Sequence, residues 1–125
     1  MEIQGLRFAL AHISWPWCDE NLAVYGKIQY ALAHRPDLSA EMFIDMTPGT
    51  PPIYRDDALT KLFTVGYPVI DNVLFGTDCN ANHYDAEMVT ELMAIDNRIY
   101  KKLGMGDDLL HKIYSDNLKR FIGCN

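Results

Sequence analysis

Two apolar runs in this chain end in a group that can hold a cation or move a proton. Val73-Leu74-Phe75-Gly76-Thr77-Asp78 reads as a buried parallel strand carrying a carboxylate out of its carboxyl end. Arg7-Phe8-Ala9-Leu10-Ala11-His12 reads as a strand that delivers an imidazole in the same way. In parallel α/β architectures that end is where ligands and catalytic groups collect. A strand-end His and a strand-end Asp can together bind a divalent metal or shuttle a proton. An Asp after a strand can also cap the next helix, but the next helical pattern begins only at Asp85, which is too late for Asp78.

Other groups gather around these two. Ser14, Trp15 and Trp17 follow His12, and the two indoles are large, stiff groups that either line a pocket or pack on a neighbour. Asp45 interrupts an apolar strand, and Thr47 shares its face, so this pair is read as pocket-lining, with a structural role as the alternative. His83 lies in the loop directly after Asp78 and is the one nearby candidate for a further ligand. His34 and His111 fall on polar helix surfaces. Asn117 falls on the inner side of the last helical pattern, where a buried amide must find hydrogen bonds and is expected to brace loop backbone. Cys18, Cys79 and Cys124 have no CxxC spacing and no base close in sequence, so neither a disulfide framework, nor a four-cysteine zinc site, nor a thiol nucleophile is indicated.

The elements that must hold these groups alternate. The pattern predicts a strand over 6–13 and then a helix capped by Asp19, with Leu22, Tyr25, Ile28 and Leu32 on one face, closed by Pro36. A second strand over 42–46 precedes the turn-rich Thr47-Pro48-Gly49-Thr50-Pro51-Pro52. Asp56 is expected to cap a short helix with Leu59, Leu62 and Phe63 inward and Gly66 at its end. A third strand covers 72–77. Asp85 opens a helix with Met88, Leu92, Ile95, Ile99 and Leu103 at helical spacing, and a last helix spans 107–122. Alternating strands and helices imply a parallel sheet. Three strands alone would leave two edges to be paired or covered, so the chain is expected to associate with itself or to be part of something larger.

At 125 residues the chain fits one domain, well short of the roughly 200–250 residues of a complete (β/α)8 barrel. A formal net charge of -6, with Lys101-Lys102 and Lys119-Arg120 as the only basic groupings, argues against nucleic acid as a partner. Both groupings are expected at helix ends, where cations complement the macrodipole. No run approaches the roughly 20 apolar residues of a membrane span or forms a signal-peptide core, so a cytoplasmic protein without a membrane partner is expected.

With these residues placed, the pattern resembles the carboxyl-terminal part of the amidohydrolase-related family of TIM-barrel metal-dependent hydrolases and decarboxylases. His12-Ile13-Ser14-Trp15-Pro16-Trp17 is similar to that family's sixth-strand His and the loop after it. Phe43-Ile44-Asp45-Met46-Thr47 is similar to its seventh-strand pattern, Leu74-Phe75-Gly76-Thr77-Asp78 to its eighth-strand Phe-Gly-Ser/Thr-Asp signature, and Ile113 through Asn117 to Phe121 to its closing helix. The resemblance implies a partial (β/α)8 barrel, strands six to eight, over 1–125. It implies Asp78 as metal ligand or base and His12 as metal ligand or proton-transfer group. It also implies a divalent metal, usually zinc, and a small-molecule substrate whose C–N or C–O bond is hydrolysed or which is decarboxylated. The first-strand His-x-His pair and the middle-strand ligands have no counterpart here, and Asn80 and Ala81 replace the usual Tyr-Pro after the Asp. The chain alone is therefore expected to be a poor catalyst, with the missing barrel half or further copies as partners. The competing expectation is a non-catalytic α/β protein that oligomerises or binds a partner. A doubly wound phosphate-binding domain is disfavoured by the lack of a Gly-rich strand-to-helix loop.

Overall fold

The computed structural model describes residues 5–124. Three strands, β1 (Leu6–Leu10), β2 (Ala40–Asp45) and β3 (Val73–Leu74), form one parallel sheet in the order β1-β2-β3. β1 pairs with β2 from Leu6 against Ala40 to Leu10 against Ile44, and β2 meets β3 at Ile44–Val73 and Asp45–Leu74. Parallel neighbours need long crossovers. These are supplied by α1 (Cys18–His34) and α2 (Pro52–Thr64), while α3 (Ala86–Lys102) follows β3. The chain finishes in α4 (Asp107–His111), a π turn (Lys112–Asp116) and α5 (Asn117–Ile122). The fold is thus α/β, with the expected alternation. Among the described residues no helix is long and apolar enough to cross a membrane.

Period-two alternation sorts the central strand. Met42, Ile44 and Met46 are fully buried on one face, in a cluster with Leu22 and Tyr25 of α1, Leu59 and Leu62 of α2, and Tyr100 of α3. Each such burial contributes about 1.5–3 kcal/mol relative to exposure. Phe43 faces the other way and is met edge-on by Phe121 of α5 at 5.1 Å between centroids, with the Arg120 guanidinium 4.7 Å above its ring. Arg120 also donates to Glu41 and to the Asp71 carbonyl. Part of the second sheet face is therefore covered by the chain's own last helix. The π turn runs beside β3, where the Phe75 amide donates to the Ile113 carbonyl at 3.2 Å.

Several boundaries differ from the sequence reading for identifiable reasons. β1 stops at Leu10, because residues 11–14 form a tight helical turn instead of continuing the strand. β3 stops at Leu74, where the next amide turns to Ile113. α1 begins at Cys18 with no side-chain cap, and Asp19 lies in its first turn, where it pairs with Lys61. α2 begins four residues before Asp56, because Pro52, with φ already set, is suited to the first helical turn. Asp56 instead accepts from Lys102 of α3, and both effects of that bond and of Thr60 hold its carboxyl below the usual range. Asp85 caps α3 as its sequence suggests, accepting from the Met88 amide at 2.9 Å.

Candidate functional site

The turn after β1 is built from residues in the left-handed region. His12, Ile13 and Ser14 have φ of 56°, 49° and 59°, and Asp78 after β3 has φ of 53°. For non-glycine residues this conformation costs about 1–2 kcal/mol each. The cost at 12–14 is offset locally. Ile13 is fully buried. The His12 carbonyl accepts from the Trp15 amide at 2.9 Å and the Thr50 hydroxyl at 3.2 Å. Ser14 Oγ accepts from the buried Asn21 amide at 2.9 Å, and Ser14 O accepts from the Trp17 amide at 2.7 Å. Strain of this kind, held by its surroundings, clusters at functional sites. Among the described residues these four are the non-glycine positions with positive φ, and His12, Ser14 and Asp78 are three of the positions that the sequence singles out.

The imidazole of His12 is held from the next strand. Its Nδ1 lies 2.8 Å from Thr47 Oγ1, a bond whose direction depends on the tautomer and which leaves Nε2 as the ring's remaining polar atom. The Thr47 amide donates to Asp45 Oδ1 at 2.7 Å. Gly49 lies against the imidazole so closely that a Cβ there would overlap its Cγ and Nδ1. Gly76, after β3, lies against the Thr47 methyl in the same way. The carboxyl ends of all three strands thus meet through His12, Thr47 and Gly76, with Asp45 fixing the middle member.

The junction brings together His12, Thr47 and Asp45 of the expected residues, and the others take separate positions. Asp78 follows Gly76 by two residues and is exposed. His83 is exposed in the short turn where its amide donates to the Asn80 carbonyl at 2.9 Å. Trp15 stacks on Tyr54 of α2, with centroids 4.6 Å apart and an angle of 29°, and forms one wall of a cleft of about 270 Å³ with Cys18, Asp19, Asp57 and Lys61. Trp17 is exposed, so of the two indoles it is Trp15 that both packs and lines. A second groove, of about 340 Å³, lies between Gly49, Thr50 and Pro51 and the α3 residues Met88, Glu91 and Leu92. Asn117 braces loop backbone as anticipated, donating to the Ile70 and Val73 carbonyls at 2.8 Å each.

Among the described residues no three His, Cys, Asp or Glu side chains are grouped to hold an ion. With Nδ1 committed to Thr47, His12 has one nitrogen to offer, and Asp78 offers one carboxylate, which is short of the three protein ligands of a catalytic zinc.

The sequence reading passed over the residues that hold the site. Thr50, Asn21, Arg55 and Asp96 are all buried. Arg55 shares helical spacing with Leu59 and Leu62, as Asp96 does with Leu92 and Ile99, and a charge on an apolar stripe needs a partner. They are each other's partner. Arg55 Nε and Nη2 donate to the Asp96 carboxylate at 2.7 and 2.6 Å. Burial still pushes the Asp96 carboxyl above its usual range, the guanidinium opposing it. Nearby, burial raises the phenols of Tyr100 and Tyr114, and Asp96 adds to both shifts. No family model, curated protein or solved structure matches the chain.

Proposed function

We propose that this chain supplies the sixth, seventh and eighth strand–helix units of an amidohydrolase-related barrel. His12 and Asp78 are its contribution to a metal-dependent centre that hydrolyses a C–N or C–O bond, or decarboxylates a small acid, when the remaining units are present. The observation that carries this reading is the junction of three consecutive parallel strand ends through His12, Thr47 and Gly76, with Asp78 two residues further on. In such a site His12, pinned at Nδ1, directs Nε2 at substrate to polarise it or pass a proton, and the exposed Asp78 carboxylate accepts one.

A second reading is favoured by one observation. Phe121 and Arg120 of α5 lie on Phe43 and Glu41, a sheet face that a closed barrel would turn inward. On this reading the chain is a non-catalytic, three-layer α/β protein that binds a partner.

Equilibrium dialysis against zinc, with turnover on simple lactone, amide and carboxylate substrates, separates the two. We expect weak, substoichiometric zinc, lowered further by Asp78→Asn and by His12→Gln, and little or no turnover by the chain alone. Zinc uptake indifferent to both substitutions would sink the hydrolase reading. Tight stoichiometric zinc with turnover abolished by Asp78→Asn would show instead that three units suffice.

A further inference from the structure

Arg55 and Asp96 place two opposite charges at the centre of the core, both with fully buried side chains. An apolar pair of similar volume often stabilises a fold as well as a buried ion pair does, so what the charges hold is the informative question. Arg55 Nη2 donates not only to Asp96 but also to the Met46 carbonyl, at 3.0 Å. That carbonyl belongs to the peptide unit whose N–H is the Thr47 amide, and the Thr47 amide donates to Asp45 Oδ1 at 2.7 Å. One peptide plane is thus gripped at its oxygen by Arg55 and at its N–H by Asp45. From this plane the Thr47 side chain reaches His12 Nδ1. A rotation of the plane would move the hydroxyl away from the imidazole, and the Gly76 backbone against the Thr47 methyl leaves it little other room.

We propose that Arg55, oriented by Asp96, is a positioning residue of the His12 site: it fixes the 46–47 peptide plane and so holds the imidazole in one orientation. This rests on the reading of His12 as a functional group. The guanidinium suits the task because its planar fork serves two acceptors at once, which an ammonium on a flexible stem does not do in fixed geometry. α3, which contributes no residue to the junction itself, is thereby tied to it through Asp96.

The test reads the ring, not turnover. Imidazole nitrogens are labelled and their NMR signals recorded well above the ordinary histidine pKa, with His12 identified by the signal lost in His12→Gln. In the unaltered chain we expect one set of His12 ring signals, with through-space contacts to the Thr47 methyl. In the double variant Arg55→Met with Asp96→Leu, which removes both charges together, we expect the contacts to the Thr47 methyl to weaken and the His12 signals to shift toward those of a freely turning ring. Arg55→Lys, which keeps a cation beside Asp96, should give the same change and stands in if the double variant does not fold. Leu62→Ala, a cavity in the same helix, should lower stability and leave the His12 signals in place. Unchanged His12 signals in the folded Arg55 variants, or an equal change in Leu62→Ala, would overturn the proposal. Either result leaves the hydrolase reading standing, and that reading can fail in the zinc experiment while the ring behaves as stated here.

Discussion

At the scale of single residues, the site is made as much by what is missing from side chains as by what they carry. Gly49 and Gly76 lack a Cβ where the imidazole and the Thr47 methyl approach. Neither glycine has a positive φ, so close approach, and not backbone freedom, is their reason for being glycine. Gly49→Ala should therefore push His12 off Thr47 at a cost of about 1–3 kcal/mol, the range for overpacking a close contact. Urea denaturation gives the loss, and NMR contacts between His12 and Thr47 should disappear. A variant with unchanged stability and an intact contact would contradict the packing described. His12, Asp45 and Thr47 were legible in the sequence because each interrupts or ends an apolar run. Arg55 and Asp96 were not read, since their pairing spans 41 positions and only the packing of α2 on α3 makes it.

At the scale of elements, α3 shows what a sequence can announce. Its stripe through Leu92 and Ile99 and its Asp85 cap are both where the pattern puts them. The strand ends are different. Nothing in the letters Ala11-His12-Ile13-Ser14 signals a left-handed turn, because non-glycine residues adopt it only when tertiary contacts repay the strain, and those contacts come from Thr50 and Asn21. The parallel direction of three strands was legible from alternation alone, whereas the laying of α5 over Phe43 was not, since Phe121 and Phe43 meet across most of the chain. The link between α5 and β3 is Asn117, whose amide group serves the Ile70 and Val73 carbonyls. Asn117→Ala leaves both acceptors without that donor in a buried setting and should cost about 2–3 kcal/mol, read as a lower urea midpoint with an unchanged slope. Asn117→Asp, which keeps the shape and removes the donors, should do no better. Near-wild-type stability in either variant would remove the brace.

At the scale of the whole molecule, two properties follow from what is inside and what is left open. Inside is a set of phenols. Tyr25, fully buried and donating to the Pro68 carbonyl at 2.9 Å, has its phenol pushed by burial, and secondarily by Glu41, up to about 12. Burial also raises Tyr100 and Tyr114. A phenol that ionises later in the fold than in the unfolded chain stabilises fully below the ordinary tyrosine pKa and loses that contribution as pH climbs toward the folded value. Tyr25 alone should thus lose about 2–3 kcal/mol between its unfolded value, roughly 10, and about 12. Unfolding midpoints across that window should fall steeply in the unaltered chain and less so in Tyr25→Phe; equal slopes would deny the buried phenol its part.

What is left open is β1. The far edge of β3 is bordered by Ile113, but among the described residues nothing pairs with the outer edge of β1, where Leu6 and Leu10 are 41% and 39% exposed. Arg7, beside Glu41 at 4.0 Å, is the strand's one charge, and no proline blocks pairing. An unprotected edge with apolar residues at alternate positions is a template for another strand. We therefore expect association that grows with concentration, through β1, measured by light scattering. Leu6→Lys combined with Leu10→Lys should return the chain to monomer without unfolding it, because lysines on an exposed edge oppose pairing there. A stable monomer at high concentration before any substitution would mean that this edge is satisfied within the chain, and it would shift the balance from a piece of a barrel to the self-sufficient three-layer protein.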